Sequence, residues 1–108
     1  MIIHFVLFKL LASDEESKEK ARSEIAEALN KVEGPFVPMQ FRAPLFPDRA
    51  KGYDFVSLAL FARFKDRAAL DKYAKDPLHL DVIDNVIRPR AILDETIDYD
   101  LHIPDDTW

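Results

Sequence analysis

The chain has no cysteine and only two glycines, Gly34 and Gly52. The first absence removes the disulfide framework, the thiol nucleophile and the thiolate metal site together, and it permits a reducing cytoplasm, the expected location. The second excludes a dinucleotide fingerprint and a phosphate-cradling loop, both of which need several glycines at fixed spacing. Basic charge is also in deficit, with 15 Lys and Arg against 20 Asp and Glu and a formal net charge of -5. Neither nucleic acid nor an anionic membrane surface is therefore an expected partner. The apolar stretch 1–12 lacks a basic start, carries His4 and Lys9, and is too short to span a bilayer, so it reads as a buried strand.

What is present fits one domain of 108 residues. Residues 1–100 are expected to form it, with 101–108 as an extended arm. From Ile2 to Leu10 both faces of the expected strand are apolar, one with Ile3, Phe5 and Leu7, the other with Ile2, Val6, Phe8 and Leu10. His4 is the polar exception on the second face. Ser13-Asp14-Glu15-Glu16 resembles a capping box, and Ala21, Ile25, Ala28, Leu29 and Val32 continue a helix whose solvated side carries Lys18, Lys20 and Arg22. Gly34 and Pro35 stop that helix. Residues 36–47 hold Pro38 and Pro44 and suit an irregular edge strand, and 48–52 a polar loop. Tyr53 to Phe64 is a strand apolar on both sides, and Ala91 to Tyr99 alternates as a last strand with one wet face.

Between those strands, Pro77 divides a helical segment. One helix should end near Lys75, and a second should begin with Asp76 as its N-cap and Pro77 in its first turn. Leu70, Tyr73 and Ala74 share a face of the first. His79 lies on the stripe of Val82, Ile83 and Val86 in the second. Tyr73 and His79 thus both point inward. At the third position of its helix, the histidine feels the positive end of the helix dipole, which disfavours imidazolium by about 0.3–1 kcal/mol. Burial acts in the same direction and the Asp76 carboxylate opposes both, so a neutral imidazole, the form a general base needs, is expected near pH 7. A core histidine packed against a core tyrosine would have the same spacing.

The order strand, helix, strand, strand, helix pair, strand is the ferredoxin-like α+β plan, βαββαβ, with all helices on one side of the sheet. Two strands apolar on both faces leave the other side uncovered, which an isologous dimer packed sheet against sheet would correct. The two sheets would then enclose a partly apolar space. The acids and imidazole of the C-terminal stretch, Asp98, Asp100, His102, Asp105 and Asp106, are read as a solvated tail and not as a metal site.

Ile3-His4-Phe5-Val6-Leu7-Phe8-Lys9, Tyr53-Asp54-Phe55-Val56 and Tyr73 followed six residues later by His79 in Asp-Pro-Leu-His, taken in order, resemble the stress-responsive dimeric α/β-barrel (A/B barrel, Dabb) family. The likeness runs from Ile2 to about Tyr99. It implies a ferredoxin-like protomer in a homodimeric α/β barrel. The family includes a plant polyketide cyclase that closes a linear polyketide by intramolecular aldol condensation without metal or cofactor. Its catalytic pair falls on His79 and Tyr73 here, and His4 matches a cavity histidine on the first strand. This chain departs from the pattern in having Asp76 where the family commonly has histidine before the proline.

Three functions are compatible with these features. The first is a cofactor-free cyclase, lyase or isomerase in which His79 abstracts a proton next to a carbonyl, Tyr73 hydrogen-bonds the imidazole or the enolate oxygen, and His4 positions a substrate oxygen. Val6, Phe8, Phe55, Phe61, Val82 and Ile83 would line its pocket for a small apolar or aromatic ligand. The second is a non-catalytic stress-response or ligand-binding dimer. The third is a cofactor-free monooxygenase acting on electron-rich aromatics. None of the three requires a bound cofactor or metal.

Overall fold

The computed structural model describes residues 1–35, 40–53 and 55–104; for Gln40 and residues 55–62 it describes the backbone only. The elements are β1 (Ile2–Phe8), α1 (Glu15–Leu29), β2 (Gln40–Arg42), β3 (Phe55–Phe64), α2 (Arg67–Lys75), α3 (Pro77–Val82) and β4 (Ile97–His102). The strands form one antiparallel sheet in the order β2-β3-β1-β4, the ferredoxin-like arrangement.

β1 is the central strand that organises the layers. Its burial alternates strictly, with Ile2, His4, Val6 and Phe8 buried and the residues between them only half-covered. The buried set packs into one core with Ile25 and Leu29 of α1, Leu70 and Tyr73 of α2, and Val82 of α3. On the opposite side, Ile3, Phe5 and Leu7 stand directly across from Leu101, Tyr99 and Ile97 of β4. Tyr99 and Leu101 are 59% and 48% exposed, so this outer sheet face is apolar and open in the single chain.

Helix starts follow from side-chain caps. Asp14, not the expected Ser13, caps α1 by accepting the Ser17 N–H at 2.8 Å. Asp66 caps α2 through the Ala69 N–H at 2.9 Å, and Asp76 accepts the Leu78 N–H at 2.8 Å with Pro77 in the first turn of α3. The division of the helical pair at Pro77 therefore falls where the sequence predicts it. Arg22 is a correction: instead of lying on the solvated side of α1 it is buried, its guanidinium donating to Glu15 at 2.6 Å and Glu19 at 3.2 Å. The long stem covers apolar surface while two carboxylates hold the charged end.

The C-terminal strand also differs from expectation. Ala91 makes only an isolated bridge to Leu10, its N–H still bonded to the Ile87 carbonyl at 2.8 Å, and Leu93–Glu95 form a 3-10 turn. The strand proper runs through Leu101 and His102, two positions into the stretch expected to be an arm. α3 passes into a π-helical turn over Ile83–Ile87, with the Arg88 N–H reaching back to the Ile83 carbonyl at 2.9 Å. No apolar periodicity announces that extra residue. Of the edge strand expected over 36–47, Gln40–Arg42 is observed, and 36–39 lie outside the described residues. Among the described residues, no helix is long and apolar enough to cross a membrane.

Candidate functional site

A cavity of about 1050 Å³ lies between the inner side of β1 and β4 and the helices α2 and α3. That volume is at the upper end of the range for small-molecule sites. It sits within one chain, so the expected space between two sheets is not needed to create it. The location follows from sheet geometry: β4 is an edge strand beyond the reach of the helices, and a hollow remains beneath it. Val6, Phe8, Leu29, Leu70, Ile83 and Ile87 supply apolar walls. His4, Tyr73, His79, Asp98 and Asp100 supply polar groups, and Lys65, Asp66, Arg67, Asp71, Thr96 and His102 also belong to the lining.

Tyr73 and His79 come together because the chain breaks between them. Their ring centroids are 4.3 Å apart with the planes tilted by 45°. Tyr73 is 3% exposed and rests on Phe64, itself fully buried, at 5.1 Å between centroids. Gly34 completes the seat, for a Cβ at that position would lie 2.8 Å from Tyr73 Cδ2 and 3.3 Å from Phe64 Cε1. Its φ of +152° is also one that side-chain-bearing residues rarely adopt. The glycine read from sequence as a helix stop is thus a packing surface for the tyrosine ring.

The electrostatics separate the two groups. Burial, aided by the charges of Asp98 and Asp76, pushes the Tyr73 phenol well above its ordinary value, so it remains an O–H donor at any physiological pH. Burial also lowers the His79 pKa, with the nearby His4 acting in the same direction, while a loose contact with the Ala74 backbone and the Asp76 carboxylate oppose it. His79 is therefore neutral near pH 7, and its buried Nδ1 has no hydrogen-bond partner among the described residues.

His4 projects from the middle of β1 into the same cavity. Its side chain is 10% exposed, and its ring meets those of Phe64 and Tyr73 edge-on at 6.0 Å each. Nδ1 lies 2.6 Å from Asp100 Oδ1 and 3.4 Å from Asp98 Oδ1. Burial raises the pKa of the Asp98 carboxyl; His4 opposes the shift and the neighbouring Asp100 adds to it. The ligand atoms of His4, Asp98 and Asp100 all lie within 4.8 Å of one another, the geometry by which a small cation would be held. Here the Asp98–Asp100 part of the expected solvated tail faces the site instead, although both carboxylates keep contact with solvent.

Of the residues expected at the site, His4, Val6, Phe8, Tyr73, His79 and Ile83 line the cavity. Val82 does not; it is 3% exposed within the core, because the helix face that presents His79 to the cavity turns Val82 into the packed interior. The side chains of Phe55 and Phe61 lie outside the described residues, as do Asp105 and Asp106. Sequence reasoning missed Gly34, Phe64 and the inward role of Asp100. The register β1 against β4, which sets His4 opposite Asp100, is the signal that finds the last of these.

An antiparallel ferredoxin-like sheet with a His/Tyr pocket under its edge strand defines the class, and comparison with known proteins gives the family. Residues 2–101 match the stress responsive A/B barrel domain, Dabb, and the chain belongs to that family. Among solved structures it is similar to a Dabb family protein with a ferredoxin-like fold from Mesorhizobium loti, at 19% identity, TM-score 0.68 and coverage of 95% of each chain. It is also similar to a dimeric ferredoxin-like protein of unknown function from Bacteroides fragilis, at 17% identity and TM-score 0.68 over 94% of this chain and 95% of that one. A dimeric ferredoxin-like protein of unknown function from Jannaschia shares 19% identity at TM-score 0.59, over 94% and 98%. At these identities the likeness is one of fold. No curated protein matches.

Proposed function

We propose that the protein is a homodimer that admits a small apolar or aromatic, polyketide-like ligand to this cavity and catalyses cyclisation, elimination or isomerisation by proton abstraction next to a carbonyl, without a cofactor. The observation that carries this reading is the buried Tyr73–His79 contact at 4.3 Å in a largely apolar hollow. A neutral imidazole beside a phenol that keeps its proton is a base paired with a donor. His79 takes the proton from the carbon, the electron pair moves to the carbonyl oxygen, and the Tyr73 O–H stabilises the enolate. In a cyclisation the enolate carbon bonds to a second carbonyl carbon of the same chain. The resulting alkoxide recovers the proton from His79, and loss of water completes an aromatic ring. The dimer is supported by the apolar outer face of Ile3, Phe5, Leu7, Tyr99 and Leu101 and by the dimeric fold relatives. The absence of cysteine is compatible with a cytoplasmic setting.

The test offers linear poly-β-ketoacyl thioesters of graded length and identifies products by mass spectrometry. Wild type is expected to yield ring-closed products at a rate that falls at least about a hundredfold in His79→Ala. Equal rates in both proteins, with the cavity still able to bind aromatic compounds, would leave a non-catalytic ligand-binding dimer.

A further inference from the structure

The His4–Asp100 pair constrains what the cavity can recognise. A neutral imidazole has one N–H and one lone pair, and its tautomer is set by the partner of either nitrogen. At 2.6 Å from a carboxylate oxygen, Nδ1 must carry the hydrogen, since two lone pairs at that distance repel. The ring cannot turn away, being held edge-on between Phe64 and Tyr73 with its side chain nine-tenths covered. Nε2 has no hydrogen-bond partner among the described residues and is the nitrogen left for an occupant of the cavity.

We propose that Asp100, by accepting the Nδ1–H of His4, makes Nε2 a hydrogen-bond acceptor, so that the site selects ligands bearing an O–H, an enol or a phenol, over the corresponding ketones and ethers. The proposal rests on the reading that the cavity holds a ligand beside His79. It gives His4 a role different from contacting a carbonyl oxygen: the group it favours is the O–H of a ligand that enters already enolised, or of the phenol that follows ring closure. Asp100 is a positioning residue acting through His4, and Asp98, at 3.4 Å from the same nitrogen, reinforces the negative field on that side of the ring. A hydroxyl facing Nε2 gains a bond that an ether cannot make, and the neutral imidazole offers an ether oxygen no hydrogen in return.

The experiment uses the full chain, labelled with 15N on histidine, at about pH 8, above the range in which a free imidazole titrates. Long-range 1H–15N correlation spectra report which nitrogen of each ring carries hydrogen. His4 is expected to be protonated at Nδ1, and 4-butylphenol to bind at least about fivefold more tightly than 4-butylanisole. In Asp100→Asn the side-chain amide can donate to Nδ1, so the other tautomer becomes accessible and the ratio should fall toward one. A wild-type His4 carrying hydrogen on Nε2, an anisole that binds as well as the phenol, or a phenol preference that survives in Asp100→Asn each overturns the proposal while leaving the ligand-binding reading intact. His4 signals that change when EDTA is added overturn it in favour of a cation held by His4, Asp98 and Asp100. If neither compound moves the resonances of His4, Tyr73 or His79, the ligand-binding reading fails and the proposal falls with it.

Discussion

Replacing Gly34 by alanine tests whether the tyrosine is seated by backbone contact. The new methyl would lie 2.8 Å from Tyr73 Cδ2, 3.2 Å from Tyr73 Cβ and 3.3 Å from Phe64 Cε1. Neither ring has room to retreat, with Tyr73 3% and Phe64 0% exposed. Overpacking at such a place costs about 1–3 kcal/mol. Holding alanine at a φ of +152° adds about 1–3 kcal/mol more. Together these give about 2–6 kcal/mol, and at about 4 °C per kcal/mol for a chain of this size the melting temperature should drop by roughly 8–24 °C. Gly52 is the internal control: its φ is +87°, but its Cβ would meet only the flexible Lys9 side chain at 3.6 Å. Differential scanning calorimetry on both variants separates backbone strain, common to the two, from ring displacement, confined to Gly34→Ala. Aromatic 1H–13C spectra should show Tyr73 shifted in that variant alone. A Gly34→Ala protein that melts no lower than Gly52→Ala would refute the argument that the glycine seats the ring.

Three further outcomes follow from the site. Because burial holds the folded-state pKa of His79 below its unfolded value of about 6.5, the unfolded chain takes up that proton first, and stability falls as pH drops from 6.5 through the folded value; His79→Gln should flatten this part of the melting-temperature profile relative to wild type. Tyr73→Phe keeps the ring contacts with Phe64 and His79, so its melting temperature should change by only a few degrees, while turnover of a cyclising substrate should fall about 10- to 1000-fold through loss of the O–H donor. Tyr99→Glu places a charge on the outer sheet face across from Phe5, away from the cavity lining, and light scattering coupled to size exclusion should report a monomer with the cavity resonances unchanged.

The parts of this fold governed by local rules were legible in the sequence. A short run of β-branched and aromatic residues located β1, and Asp76-Pro77 located the break between α2 and α3, so the inward aim of Tyr73 and His79 could be read from helical spacing. Features set by tertiary packing were not legible. The π-helical turn at Ile83–Ile87 leaves the apolar content of the stripe unchanged, and nothing local distinguishes Leu93–Glu95 from a strand until their N–H groups are seen to bond backward into turns. Arg22 looked solvated because the carboxylates that hold its buried guanidinium, Glu15 and Glu19, are themselves ordinary surface residues. The acids of β4 looked like a tail because their meaning depends on register: a shift by one residue would have turned Asp98 and Asp100 outward and taken them away from His4.

Pro77 gives this site an uncommon vulnerability. In an uninterrupted helix, residues six apart stand about 240° around the axis and about 9 Å along it, on different sides of the cylinder. The two rings touch only because the chain leaves helical geometry at Asp76 and restarts at Pro77. A substitution such as Pro77→Ala, which any helix-propensity scale would score as an improvement, invites the two short helices to fuse into one longer rod and carry the rings apart. Thermostabilisation by smoothing irregularities out of the backbone would thus act against the pocket, yielding a sturdier protein with Tyr73 and His79 separated.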